Sequence, residues 1–322
     1  VAAALTGWDQ STATDPSGIY PNTTHGNNAY RHTVPMVLTA SNHESAAKTF
    51  LGVTIPQGTN GSESLRIVLD TLFNHANTPA FVCKTLIQRF VTSNPSPAYV
   101  ARISAVFKNN GSGVRGDLGA VVRAILMDAE ARTYNSSTTT QGKLREPMIR
   151  LMQWFRTFGG VDATTTSATV SPWNLPPTHT DNLLWQCPFL SPSVFNFFRP
   201  GYVPPNTAIA TQSLVAPEFQ IATEPTVAAY INYMVDTISN TRNVRANYSA
   251  ELRGWASSNS TTQTLLNKLN LWLCANQLSA STISTIKTGV DGMLASTKER
   301  IDFRLYAAIL MVMSCPEYLV QK

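Results

Sequence analysis

Apolar residues recur along this chain mainly with the period of a helix, and the widest such pattern covers residues 142–160, GKLREPMIRLMQWFRTFGG. Drawn at about 100° per residue, Leu144, Pro147, Met148, Leu151, Met152, Trp154, Phe155 and Phe158 share one arc of roughly 160°. Arg145, Glu146, Ile149, Arg150, Gln153, Arg156 and Thr157 take the rest of the wheel. An apolar arc that wide needs neighbours on more than one side, so the pattern predicts a core helix and not a coiled-coil seam.

Ahead of this segment, residues 1–8 read as the end of a helix, followed by a polar loop over 9–30. Residues 34–39 and 49–55 have strand character on either side of SNHESAAK and predict a hairpin, the only β-structure the pattern contains. From Ser62 the period turns helical, with Leu65, Val68, Leu69, Leu72 and Phe73 on one face, ending at His75. Thr78-Pro79 and Ser96-Pro97 each pair a capping residue with a proline suited to a first helical position. They open helices over 80–91 and 98–109, and Asp117 opens another that carries Leu118, Val121, Val122, Ile125 and Leu126. Short connections between consecutive helices predict an antiparallel array. Residues 134–141 and 161–182 are polar loops, the second held irregular by Pro172, Pro176 and Pro177. Helices over 226–238, 262–278, 281–294 and 297–314 complete the chain, the last with a stripe of Ile301, Leu305, Ala308, Ile309 and Val312. The expected fold is mainly all-α, a multi-helical array with one small β-hairpin and long ordered loops, forming a single domain over 1–322.

Composition narrows the setting more than the chemistry. A chain of 322 residues with 43% hydrophobic content can bury a sizeable core. Its 24 basic and 19 acidic residues leave a net charge of +5, so the surface is polar mainly through Ser, Thr, Asn and Gln, as on extracellular proteins. There is no run of basic residues of the kind nucleic-acid modules carry, and no apolar run reaches the roughly 18 residues of a membrane-spanning helix. The mild basicity fits an acidic glycan. Starting at Val1 inside a helix end, the chain suggests that a further segment precedes it in the intact protein. Cys83, Cys187, Cys274 and Cys315 lack the C-x-x-C spacing of zinc or redox sites. Cys274 and Cys315 close two apolar helical patterns, which makes a disulfide between them the first expectation and buried free thiols the alternative.

Taken together, AAALTGW, NHESAAKTFLGVTI, FNHANTPAFVCKTLIQRFVTSNPSPAYVARISAVF, RGDLGAVVRAILMDAEAR, KLREPMIRL, PFLSPSVFNFF and the terminal SCPEYLVQ are similar, in order and spacing, to the bacterial family called domain of unknown function 1800. The resemblance runs from Val1 to Lys322. It implies an exported, multi-helical protein, often encoded beside a sulfatase- or phosphatase-like partner family, with a further helical region ahead of the ALTGW motif. It implies no reaction.

Three groups of residues are candidates for chemistry. Lys143 and Arg145, at the start of the predicted central helix, stand where free N–H groups and the helix dipole favour an anion, with Arg156 within about 20° of Arg145 on the wheel. Against this stands pairing with structural carboxylates such as Asp117, Asp128 or Glu130. Of five histidines, His25, His32 and His179 lie in polar loops, His43 at a hairpin tip and His75 just past a helix end. His43 and His75 are acid–base or metal candidates, weighed against simple capping, and no H-E-x-x-H spacing supports a metal. Trp173, Trp185, Phe189, Phe195, Phe197, Phe198 and Tyr202 form an aromatic-rich stretch suited to stacking on sugars or docking a partner, or else to core packing. No G-x-S-x-G surrounds Ser193 or any other serine, and no phosphate-binding glycine loop calls for a nucleotide cofactor. The expected function is an exported structural or binding protein of the cell envelope or extracellular space, with an acidic glycan, a protein partner, or copies of itself in an oligomer or filament as its partners. The alternative is a hydrolase of an anionic polysaccharide or ester, acting through His43, His75, Lys143 and Arg145.

Overall fold

Capping residues and prolines set most of the element boundaries. The computed structural model describes residues 1–11, 33–133, 140–162, 183–187, 191–194, 196–242 and 244–322. They divide into two compact units, Val1–Val82 and Cys83–Lys322. The predicted loops over 9–30, 134–141 and 161–182 lie mostly outside the described residues.

In the first unit a 3₁₀ turn, Ala2–Leu5, leads to β1 (Trp8–Asp9), β2 (Val37–Leu38), β3 (Lys48–Phe50), β4 (Val53–Ile55) and α1 (Gly61–Asn74). β1 pairs antiparallel with β2, and β3 with β4. The hairpin expected between 34–39 and 49–55 is therefore not formed. Leu51 and Gly52, at φ 48° and 79°, fold the second segment back on itself in a tight turn, and the first segment pairs with the start of the chain. Asn60 caps α1 by accepting from the Glu63 N–H. Its buried face is Gly61, Ser64 and Val68, while Leu69, Leu72 and Phe73, expected inside, are exposed. Gly61 explains the choice, because a Cβ there would meet Leu38 Cδ1 at 2.6 Å. Close approach, not apolar area, selects the face.

The unit boundary falls within α2 (Thr78–Phe90). The second unit continues with α3 (Pro97–Lys108), α4 (Leu118–Met127), α5 (Ala129–Arg132), β5 (Lys143–Leu144), α6 (Pro147–Thr157) and β6 (Val161–Asp162). After α7 (Ala208–Thr211) and a 3₁₀ turn, Pro217–Ile221, come α8 (Glu224–Ile238), β7 (Val244–Arg245), α9 (Ala250–Ala256) and α10 (Thr262–Cys274). The last elements are α11 (Ala280–Asp291), α12 (Lys298–Ser314), α13 (Pro316–Leu319) and β8 (Val320–Gln321). Ser96 and Asp117 cap α3 and α4 as their sequence context predicts. α12 packs against α8, α9, α10 and α11, and its Leu305, Ala308, Ile309 and Val312 are fully buried. Met148, Leu151, Trp154 and Phe158 of α6 enter the same core, where Trp154 Nε1 donates to the Tyr248 hydroxyl at 3.1 Å. The fold is mainly all-α, with its strands confined to short pairs. No described helix is long and apolar enough to cross a membrane.

The central helix is shorter than predicted. Pro147 occupies its first turn and disfavours helical geometry in the residue before it, so Lys143 and Leu144 stay extended and pair antiparallel with Gln321 and Val320. Gly142, at φ 107°, makes the entry, and a Cβ on it would lie 2.7 Å from the Gln321 carbonyl oxygen.

One charged residue belongs to this core outright. Arg304 on α12 is 1% exposed and donates to the carbonyls of Ala256 (2.8 Å) and Met293 (2.5 Å), to Asn259 Oδ1 (2.8 Å) and to Thr262 Oγ1 (3.2 Å). Asp291 Oδ1 lies 3.6 Å away. All four cysteines are free thiols, so the expected Cys274–Cys315 disulfide is not formed. The two are close enough to influence each other's ionisation, however, and Cys315 Sγ donates to the Val312 carbonyl at 3.0 Å. The alternative expectation, buried free thiols, is the one the structure carries.

Candidate functional site

β5, the residues that follow it and the first turn of α6 carry more buried charge than any other stretch described. Lys143, read as a helix-terminal cation, is a buried strand residue whose Nζ donates to the Arg89 carbonyl at 2.7 Å and lies 3.5 Å from Glu218 Oε1. Arg89 Nη1 sits 3.8 Å from Glu218 and 3.7 Å from Glu146, with its guanidinium 4.3 Å above the Phe198 ring. Gln186 donates to Glu146 Oε2 at 2.5 Å and accepts from the Met148 N–H at 3.0 Å, which fixes the entry to α6. Lys143, Arg89, Glu218 and Glu146 thus form a neutral cluster whose charge contacts are longer than hydrogen bonds.

Two further guanidinium groups lie beside it. Arg145 donates to Gln153 Oε1 (2.8 Å) and the Leu273 carbonyl (3.0 Å) and stacks over Tyr318. Arg150, placed on the polar side of the helical wheel, is 7% exposed. Its Nε donates to the Arg145 carbonyl at 2.8 Å, and its guanidinium stacks 4.6 Å from the centre of the Tyr230 ring. No described carboxylate is in salt-bridge distance of Arg145 or Arg150. Burial pushes Arg150 below the ordinary guanidinium range, but such a group stays charged. A buried cation without a counter-ion is costly, and sites that tolerate that cost are frequently ligand sites.

Arg150 and Glu218 both line a pocket of about 320 Å³. Its walls are otherwise mainly apolar, with Pro147, Phe219, Ile221, Ile231, Leu319 and Val320 among them. Glu218 is 1% exposed and its Oε2 accepts no hydrogen bond from any described residue. Desolvation pushes this carboxyl above the ordinary carboxylate range, against the pull of Lys143, its own N–H and Arg89. The hydroxyls in the pocket are committed elsewhere: Thr226 donates to the Ile221 carbonyl, Ser314 to Leu310 and Tyr230 to Met313. A larger cavity of about 670 Å³ lies beside Asn94, Ser96 and Gln141. There Ser96 bonds Glu130, Gln141 bonds backbone carbonyls, and Asn94 pins the Val215 backbone in both directions, so the chemistry sits in the smaller pocket.

The other predicted residues divide by place. Arg156 is exposed on the far end of α6, while His43 and His75 belong to the first unit. His43 Nδ1 lies 3.0 Å from the Thr6 carbonyl and its Nε2 3.2 Å from Ser64 Oγ. With Nδ1 donating, Nε2 accepts from a serine that is itself fully buried, so the pair ties α1 to the opening turn. His75 ends α1, and its Nδ1 accepts from the Asn77 N–H at 3.2 Å. Among the described residues no group of three His, Cys, Asp or Glu side chains converges as a metal site would. Trp185 is 42% exposed at φ 53°, Tyr202 is half-buried, and Phe198 is buried beneath Arg89. Trp173, Phe189, Phe195, His25, His32 and His179 lie outside the described residues. Arg150, Glu218, Arg89 and Glu146 were missed as site residues. The one available signal was an Arg set directly between Ile149 and Leu151, with Met148 and Met152 two positions away, on the helix with the widest apolar arc.

The comparisons with known proteins add a family and no activity. A family model described as protein of unknown function (DUF1800) matches residues 1–320. No curated protein and no solved structure matches.

Proposed function

The chain belongs to the DUF1800 family, and on that premise we propose that it is an exported binding protein whose pocket between β5, the start of α6 and α8 holds a small, largely apolar organic acid. The single observation behind this reading is Arg150, a nine-tenths buried guanidinium lining a mainly apolar pocket with no described carboxylate within salt-bridge distance of it. A ligand carboxylate supplies the missing charge, and the apolar walls bury its body. With the pocket hydroxyls donating to backbone carbonyls, the site is better furnished to hold a molecule than to attack one. The pocket is small and apolar, which favours such an acid over the acidic glycan that composition alone suggested. A charged fraction of only 13% supports placement in the periplasm, on the cell surface or outside the cell.

Isothermal titration with 4-methylpentanoate and octanoate tests the reading. Saturable binding at millimolar or lower concentration, lost in Arg150→Met, is the expected result. Absence of binding by both acids, or equal binding by the variant, refutes it.

A further inference from the structure

We infer that the acid bound in this pocket carries a neutral hydrogen-bond donor, a hydroxyl near its carboxylate, which Glu218 Oε2 accepts while Arg150 holds the carboxylate. This rests on the reading of the pocket as an organic-acid site and specifies which acid.

Two observations carry it. Glu218 lines the same pocket as Arg150, is 99% removed from solvent, and has one oxygen, Oε2, that accepts nothing from the described residues. A buried acceptor left unmade costs more than a made hydrogen bond contributes, so a donor delivered by the ligand gains on both counts. Oε1 is the oxygen facing Lys143 and Arg89, at 3.5 and 3.8 Å, which leaves Oε2 free for that donor. A plain fatty acid would satisfy Arg150 and leave Glu218 as it is.

Charge decides which donor. The pocket wall itself carries one cation, Arg150, and one carboxylate, Glu218, and behind Glu218 stand Lys143 and Arg89 at 3.5 and 3.8 Å. An ammonium group would approach Glu218 in the field of Lys143 and Arg89 and meet repulsion in a medium of low dielectric constant. A hydroxyl brings the hydrogen without the charge. An apolar 2-hydroxy acid therefore fits this balance better than an amino acid of the same shape.

Three probes with one carbon skeleton separate these cases: 4-methylpentanoate, 2-hydroxy-4-methylpentanoate and leucine, each titrated into the whole chain and into Glu218→Gln. The hydroxy acid is expected to bind about tenfold tighter than the plain acid, the worth of one hydrogen bond to a buried charged group. Leucine is expected to bind more weakly than the hydroxy acid, and Glu218→Gln to erase most of the advantage of the hydroxyl. Equal affinity for plain and hydroxy acids, an advantage that survives in Glu218→Gln, or tighter binding of leucine would each overturn the inference while the organic-acid pocket stands. Binding of none of the three overturns both. Circular dichroism of Glu218→Gln, matching that of the parent chain, keeps loss of fold from imitating loss of the contact.

Discussion

Arg150 and Arg304 are both buried guanidinium groups on core helices, and replacing each with methionine should have opposite consequences. Arg304 spends its donors on two carbonyls, an amide oxygen and a hydroxyl, with Asp291 alongside. Arg304→Met keeps the apolar stem but leaves the Ala256 and Met293 carbonyls without donors, at about 1–3 kcal/mol each. A loss of about 4 kcal/mol follows, in the range seen when buried ionic networks are broken. For a unit of this size that is a fall in Tm of about 8–16 °C. Arg150→Met loses one bond to the Arg145 carbonyl and the stacking on Tyr230, together about 2–4 kcal/mol. It also removes a desolvation penalty of several kcal/mol that no described carboxylate offsets. The two nearly cancel, so this variant should melt within about 3 °C of the parent chain. Thermal unfolding followed by tryptophan fluorescence and by circular dichroism measures both. If Arg150→Met falls as far as Arg304→Met, Arg150 is a structural cation, and the pocket loses the residue on which its function rests.

Three further outcomes can be measured on the same material. Burial raises the Glu218 carboxyl above the ordinary glutamate range, despite Lys143 and Arg89 and with Glu146 adding to the rise. Its stabilising share is full below that range and is lost as pH climbs through the raised value. The Tm of Glu218→Gln should therefore gain on that of the parent chain as pH rises from about 4 to about 8, and a pH-independent gap would refute the assignment. Gly142→Ala forces a side chain to φ 107° and against the Gln321 carbonyl. It should cost about 1–3 kcal/mol and weaken 4-methylpentanoate binding by loosening β5 from β8, whereas unchanged melting would show the clamp is dispensable. In a thiol titration with a disulfide reagent, half-buried Cys187 should react in the native protein, and Cys83, Cys274 and Cys315 only after unfolding. Native-state labelling of Cys315 would contradict its burial.

The helical skeleton was legible because its information is local. The stripe Leu305, Ala308, Ile309 and Val312 and the arc Met148, Leu151, Trp154 and Phe158 both lie where periodicity put them. What failed is set by partners far away in sequence. Lys143 and Leu144 continue a helical pattern on paper, but Pro147 frees them and β8 recruits them. On α1 the longer apolar row stayed outside because Gly61 and Ser64 allow the closer approach. The helical wheel puts Arg150 outside the apolar arc, and only the folded chain reveals that its side of the helix meets Tyr230 and not water. Glu218 lies in a 3₁₀ turn within a stretch that has no period to read.

The pocket joins distant segments: Leu144, Pro147 and Arg150 on one side and Pro316, Leu319 and Val320 on another, with the Tyr318 hydroxyl reaching the Arg150 carbonyl across 168 positions. Ribosomes add about 5–20 residues per second, so roughly 8–34 s separate the synthesis of its two walls. Throughout that interval the Arg150 side chain is part of a growing polypeptide with no cavity to line. The cavity itself therefore comes into being only once the chain has been translated through residue 320, long after its Arg150 wall was made.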